Sequence, residues 1–165
     1  MNSAELRRVP PLGWLAAGLL AQKLLPGRRP TWTSLGLAGM LGSGCLGLLV
    51  WAVTVFRRHE TTVDPLAPER ASRLVSDGPF RATRNPMYVA MAGVLVAHAT
   101  IRRSLAGFIP ATGFALLINK AQIEAEERAM AANFGPEWDQ YVATTPRWLS
   151  LQSLTYRNSS ACSAP

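Results

Sequence analysis

Apolar residues are concentrated in four stretches, which the hydrophobic pattern predicts to be helices. They cover residues 9–25, 32–56, 87–100 and 104–119. The second stretch contains no Asp, Glu, Lys, Arg or His, and about 20 apolar residues are enough for one helix to cross a bilayer. Its many glycines are expected to let neighbouring helices approach closely, as small residues do in membranes. The pattern therefore predicts an all-α, polytopic membrane helical bundle with about four transmembrane helices.

The other apolar stretches are shorter, and each has a feature that affects its interpretation. Residues 9–25 would also suit a signal peptide, but no convincing cleavage site follows and the next apolar stretch begins within a few residues, so a retained helix is favoured. Residues 87–100 and 104–119 are separated only by residues 101–103, which predicts a tight helical hairpin. Pro110 and Gly113 are expected to kink its second helix.

Polar segments join and follow these stretches. Residues 57–86 form a connector punctuated by prolines and glycines, with a short helix expected at 68–75. Beyond Lys120, apolar residues alternate with glutamates, which predicts an amphipathic helix that leaves the bilayer and ends near residues 133–136. The chain thus divides into N-terminal transmembrane helices at 1–60, a core at 61–150 and a flexible polar tail at 151–165.

Composition and charge favour a membrane protein over a nucleic-acid-binding one. Hydrophobic residues make up 48% of the chain, charged residues 16%, and the net charge is +7. The basic residues lie in short loops rather than on one polar helix face, so no nucleic acid is expected as a partner. The N-terminus, the connector and the C-terminal region hold 12 of the 17 Lys and Arg, which places both termini in the cytoplasm. With only Cys45 and Cys162, neither a disulfide framework nor a metal site is expected.

Two polar clusters, at residues 77–88 and 123–141, flank the predicted hairpin and are expected to meet on its cytoplasmic side. Polar groups beside a membrane are often only interfacial anchors, and the residue pattern by itself leaves that interpretation open. His98, near the end of the third stretch, is interpreted as interfacial rather than functional.

Several residues of these clusters form a characteristic ordered pattern across residues 74–149. They are Gly78, Pro79, Arg84, Asn85, Pro86 and Tyr88 before the hairpin, and Glu126, Glu127, Phe134, Gly135 and Tyr141 after it. In this order the chain resembles the isoprenylcysteine carboxyl methyltransferase and phospholipid methyltransferase family. Asn85 stands where many members have His, and because an amide does not titrate, a proton-transfer role at this position is in doubt.

The resemblance implies an integral membrane enzyme that transfers a methyl group from S-adenosyl-L-methionine to a lipophilic small molecule or lipid. It implies cofactor binding by Arg84, Asn85, Pro86, Tyr88, Glu126 and Glu127, with Arg84 and Glu127 also acting in catalysis. Arg81 is an alternative to Arg84 for orienting an anionic acceptor. The Arg-Asn-Pro variant is typical of bacterial relatives, which implies a bacterial inner membrane.

Several alternatives stay open at this point. The acceptor is an isoprenylcysteine-like carboxylate, a phospholipid amine or a small lipophilic molecule, and the sequence does not choose among them. The contrasting function is a non-catalytic membrane scaffold or transporter-like subunit. A transporter is disfavoured because the sequence shows neither repeated halves nor charges in the middle of the apolar stretches.

Overall fold

The structure is a computed structural model that describes residues 6, 9–59 and 73–150, and these ranges contain helices and loops but no β-strand. The expected flexible tail at 151–165 lies outside the described residues, as does most of the helix expected at 68–75. The described end of that stretch, residues 73–75, is not helical. The all-α prediction is confirmed for the described ranges.

Four helices alternate in direction and form the bundle: α1 (Pro11–Leu24), α2 (Trp32–Arg58), α3 (Pro86–Ile101) and α4 (Phe108–Ile118). At one end, the loop after α1 is tied to the loop between α3 and α4. The Arg28 amide donates to the Arg102 carbonyl over 2.8 Å, and the Ser104 hydroxyl donates to the Pro26 carbonyl. Thr31 and Ser34 form a capping box that starts α2 at this end. The predicted hairpin is present as α3 and α4, which pack against each other.

The fourth helix continues beyond α4 without a break in helical structure. A π-helical turn at Asn119–Ile123 leads into α5 (Glu124–Phe134), which is the predicted amphipathic helix. Gly135 then adopts a φ of 48°, which favours glycine, and the chain turns into α6 (Pro136–Thr144). Pro110 lies in the first turn of α4, where a missing N–H removes no intrahelical hydrogen bond, so the kink expected there has no cause.

Helix packing differs from the expectation for the glycines of α2. A side chain at Gly36, Gly39, Gly44 or Gly47 would meet no other atom within 4 Å. Close approach is instead made by Gly93 of α3, where a Cβ would overlap the thiol of Cys45, and by Gly18 of α1, which contacts Leu95. Small residues do bring the helices together, but most of them lie outside α2.

Within the described residues, α2 is the one helix long and apolar enough to cross a membrane by length and composition. It exposes large apolar side chains along much of its length, and burying these in lipid is favourable. The exposed set includes Trp32, Leu37, Met40, Leu46, Val50 and Trp51. The 16 residues of α3 form a shorter apolar helix. Four transmembrane helices therefore stay a prediction.

Candidate functional site

A cavity of about 380 Å³ opens at the end of the bundle opposite the tied loops. Its volume lies in the range of small-molecule sites. The wall is mainly apolar and combines the start of α1, the end of α2, the connector, the start of α3, and α5 with α6. The residues that carry its polar chemistry are Arg84, Asn85, Tyr88, Glu126 and Glu127, with Arg73 also on the wall.

The connector is held in place by one backbone and one side-chain hydrogen bond to the segment after α6. The Arg84 amide donates to the Pro146 carbonyl over 2.9 Å, and the Thr83 hydroxyl donates to the Arg147 carbonyl over 2.8 Å. Tyr141 of α6 donates its hydroxyl to the Phe80 carbonyl over 2.7 Å. Because two segments distant in sequence satisfy each other's polar groups, the start of α3 is fixed beside α5 and α6.

Glu127 is the centre of an ion-pair network. Its carboxylate lies 3.2 Å from Nη2 of Arg84, whose side chain is only 10% exposed. The Arg147 guanidinium also contacts Glu127, and Arg147 donates from Nη1 to the Asn119 amide oxygen over 3.2 Å. Two cations thus compensate one carboxylate, so Glu127 is better suited to holding Arg84 in position than to accepting a proton.

Arg84 has two further features that bear on binding. Its guanidinium carbon lies 5.6 Å from the centre of the Trp138 ring, which is a cation–π arrangement. Its Nε atom is buried and has no hydrogen-bond partner among the residues that the structure describes. Burial lowers the pKa of Arg84, and the nearby Glu127 opposes this effect. The side chain therefore has one unused donor beside the cavity.

Glu126 has a different environment from its neighbour. It accepts a hydrogen bond of 2.5 Å from the Tyr88 hydroxyl, and no arginine or lysine pairs with it in the described part of the chain. Burial raises the pKa of Glu126 to about 7, while the Tyr88 hydrogen bond acts in the opposite direction and Glu127 adds to the rise. The two adjacent glutamates therefore differ. Glu127 pairs with two arginines, whereas Glu126 has no such partner among the described residues and has a pKa near neutral pH.

The structure brings all six predicted binding residues to the wall of this one cavity. Asn85 and Pro86 also have structural roles. The side-chain amide of Asn85 donates from Nδ2 to the Arg147 carbonyl over 3.1 Å, and Pro86 is the first residue of α3. Arg81 is exposed at the end of a 3₁₀ turn (Gly78–Arg81) and is not part of the wall. Its expected alternative role therefore finds no support in the geometry.

Two functional features were missed from the sequence. Arg147 lies in a non-helical segment beyond the last helix, where no local pattern distinguishes it from an interfacial anchor. Trp138 of α6 is the other, and its ring forms part of the wall and lies beneath Arg84. Its position between Gly135 and Tyr141, two residues of the family pattern, is the signal that could have drawn attention to Trp138.

His98 lies far from this cavity and belongs to a polar cluster inside the bundle. Its Nδ1 is 2.7 Å from the amide oxygen of Gln22, which is fully buried in α1. The Gln22 amide nitrogen donates to the carbonyls of Leu95, over 2.9 Å, and Gly107, over 2.6 Å. His98 is thus part of a link among α1, α3 and the start of α4, which gives it a structural role.

The described residues form a helical bundle with a cavity of small-molecule size at one end. The chain matches the model of the phospholipid methyltransferase family over residues 33–137, and it belongs to that family. The family predicted from the sequence is therefore confirmed. Membership associates the chain with membranes and, at the level of the family, with methyl transfer.

A curated relative adds a second comparison. The chain is 32% identical over 129 residues to the nickel-cobalt-cadmium resistance protein NccN of Alcaligenes xylosoxydans xylosoxydans. The matched region is 75% of this chain and 54% of that protein, so the chain spans about half the length of the relative. In the ranges that the structure describes, no group of three His, Cys, Asp or Glu is placed to hold a metal ion. No solved structure matches the chain.

Proposed function

We propose that the protein is an integral membrane methyltransferase that uses S-adenosyl-L-methionine to methylate a lipophilic acceptor. The observation that carries the proposal is the convergence of Arg84, Tyr88, Glu126 and Glu127 on one cavity in a member of a methyltransferase family. Arg84 and Tyr88 lie just before and at the start of α3, and the two glutamates lie in α5, about 40 positions further along the chain. If these residues served only in packing, an apolar wall would not need ionisable groups.

The residues present fit the proposed cofactor. Carboxylates suit the ribose hydroxyls and the cationic groups of S-adenosylmethionine, and the unused Nε donor of Arg84 suits its carboxylate. The bound cofactor supplies an activated methyl group on a sulfonium sulfur. The aromatic ring of Trp138 and the apolar wall exclude water, which strengthens these interactions.

The protein's own contribution to the reaction is binding and positioning. Glu127 holds Arg84 in position through their ion pair, and Tyr88 holds the Glu126 carboxylate through its hydroxyl. Because Glu126 titrates near neutral pH, it is able to take up a proton from an acceptor such as an amine. This gives Glu126 a proton-transfer role, whereas the resemblance implied a catalytic role for Glu127 and not for Glu126.

The acceptor is proposed to enter from the lipid side of the cavity. The start of α1 contributes Pro10, Pro11 and the exposed Leu12 to the wall, and α3 contributes Met87 and Met91. An acceptor with a hydrocarbon chain can place that chain against these residues and its polar end near Glu126. Isoprenylcysteine-like carboxylates, phospholipid amines and small lipophilic molecules remain the candidates.

The first experiment measures cofactor binding by calorimetry on the full chain in a mild detergent. We expect the wild type to bind S-adenosylmethionine, and Tyr88→Phe, which removes one hydroxyl, to weaken binding by roughly three- to tenfold. The matched control is Ser43→Ala, since Ser43 carries a hydroxyl on the exposed side of α2.

Two results would count against this function. Failure of the well-folded wild type to bind the cofactor would favour the non-catalytic scaffold or transporter-like subunit. Equal weakening by Tyr88→Phe and Ser43→Ala would remove Tyr88 from the binding site, because the two deletions then act only through general stability.

The cavity end is further proposed to face the cytoplasm of a bacterial cell, with both termini on that side. The support is that the N-terminal, connector and C-terminal segments of the sequence hold 12 of the 17 Lys and Arg. In a Cys162→Ser background, a membrane-impermeant thiol reagent should label Arg103→Cys in intact cells and Arg58→Cys only after lysis. The reverse labelling pattern would show the opposite orientation.

A further inference from the structure

The end of the bundle opposite the cavity carries a cluster of exposed basic residues. Four of them lie in or beside the tied loops: Lys23, Arg28, Arg29 and Arg103, here called the basic rim. None forms a salt bridge with any residue that the structure describes. The described acidic residues are all elsewhere, in the connector or in α5 and α6: Asp77, Glu124, Glu126, Glu127, Glu137 and Asp139.

Arg102 fixes the loops that carry the basic rim. Its Nη2 donates to the Leu25 carbonyl over 2.8 Å, and its own carbonyl accepts from the Arg28 amide over 2.8 Å. Arg103 adds a bond of 3.4 Å from Nη1 to the Arg29 carbonyl. The two loops are therefore joined by hydrogen bonds, and four like charges are held at one end of the bundle without an acidic partner among the described residues.

Large apolar side chains lie next to these charges in sequence and in the structure. Leu24, at the end of α1, is 89% exposed; Trp32, at the start of α2, is 90% exposed; and Leu105, beside Ser104, is 88% exposed. Three such side chains exposed in water would be unfavourable, whereas at the boundary between lipid tails and head groups they are stabilising. Leu24, Trp32 and Leu105 are here called the apolar collar. A soluble anion or a nucleic acid bound to the rim would leave this collar exposed to water.

We propose that the basic rim and its apolar collar form a binding surface for the phosphate head groups of anionic phospholipids. The rim contacts the head group while Leu24, Trp32 and Leu105 contact the first part of the acyl chains. Because the three apolar side chains of the collar would contact acyl chains, a lipid fits this surface better than free phosphate does. This surface is separate from the cavity, and it does not depend on methyl transfer or on which side of the membrane the rim faces.

The test compares retained lipids by native mass spectrometry of the full chain in a nonionic detergent. Phosphatidylglycerol and phosphatidylcholine with the same acyl chains are added in equal amounts. We expect wild type to retain phosphatidylglycerol preferentially, and a variant with Lys23, Arg28, Arg29 and Arg103 all replaced by Gln to lose at least about threefold of that preference, because the four positive charges that attract the anionic head group are gone.

The matched control replaces four exposed arginines at the other end, Arg57, Arg58, Arg81 and Arg128, by Gln. This keeps the change in net charge the same and moves it away from the rim. The control should keep most of the preference, and glycerol phosphate at millimolar concentration should not displace the retained lipid. An equal loss in both variants would overturn the proposal, as would displacement by glycerol phosphate, which would identify a soluble-anion site.

Discussion

The two ends of the bundle both depend on arginine, but they give it different partners. At the cavity end, Arg84 and Arg147 pair with the Glu127 carboxylate, and Arg84 also lies over the Trp138 ring. At the opposite end, Arg102 donates to main-chain carbonyls, and the neighbouring basic residues pair with no acidic residue in the part of the chain that the structure describes. The partner of an arginine, rather than its presence beside a membrane, therefore distinguishes a binding site from an interfacial surface.

The difference also concerns what each end can exchange with its surroundings. Carbonyl partners fix loop geometry and cannot change charge, so the loop end is held in one electrostatic state. The cavity end contains a carboxyl with a pKa of about 7 and an arginine donor that no group in the described ranges accepts. Proton-transfer chemistry is accordingly expected at the cavity end, whereas the loop end is suited to static charge contacts.

The largest expected effect comes from exchanging arginine for lysine at each end. Arg84→Lys keeps the charge but loses the planar guanidinium that contacts Glu127 and Trp138 together, so methyl transfer should fall by about 100-fold or more. Arg103→Lys, at the exposed rim, should change it by less than about twofold. The assay follows labelled methyl groups from S-adenosylmethionine into a membrane-lipid extract, at matched protein levels. Equal activities in both variants would abolish the distinction between the two ends.

A smaller effect is expected from pH, and it should depend on Glu126. Its folded-state pKa of about 7 lies above the ordinary value of 4.5, so the stability it contributes is fully present below about pH 4.5 and is lost as pH rises through 7. Binding of a cationic cofactor should change in the opposite direction, by up to about tenfold between pH 6 and 8, since the ionised fraction rises from roughly a tenth to nine-tenths.

Calorimetry across that range, with thermal unfolding of the ligand-free protein, measures both trends. Glu126→Gln should flatten each of them, because the amide is neutral throughout. Arg103→Gln, at the other end, should leave both slopes unchanged. A wild-type affinity that is flat between pH 6 and 8 would show that ionised Glu126 does not contribute to binding.

The smallest effect concerns the polar cluster that joins α1, α3 and the start of α4. Gln22→Leu removes the hydrogen bonds to Leu95, Gly107 and His98, and it should destabilise the bundle by about 1 kcal/mol. Cofactor affinity should stay within about twofold of wild type, since the cluster lies away from the cavity. Thermal unfolding in detergent measures the first effect and calorimetry the second. A large loss of affinity would mean that the two regions are coupled.

Much of the fold was predictable because it depends on local pattern. The apolar stretches predicted the positions of α1 to α4, and the alternation of glutamates with apolar residues after Lys120 predicted α5. The role of the glycines in α2 was not predictable, since which face of a helix meets a neighbour depends on the whole bundle. Gly93 and Cys45 are 48 positions apart, and no local pattern reveals their contact.

The site was predictable as a set of residues but not as a set of interactions. Arg84, Tyr88, Glu126 and Glu127 followed from family spacing, and the structure brings them to one cavity. The division of labour between the two glutamates did not follow, because it depends on Arg147, which lies 20 positions beyond Glu127 and is fixed only by tertiary structure. Electrostatic partners at such distances are the part that sequence pattern leaves out.

The π-helical turn at Asn119–Ile123 has a consequence for how the protein tolerates insertions and deletions. Each residue of an α-helix turns the chain by about 100°, and the wider π turn contains one residue more than an α-helical turn. If one of these five residues were deleted and the turn became α-helical, α5 would rotate by roughly that angle relative to α4. Both glutamates would then leave the cavity wall although no residue of the wall had changed. The position of the two glutamates in this protein therefore depends on the number of residues in the π-helical turn as well as on the identity of the residues that line the cavity.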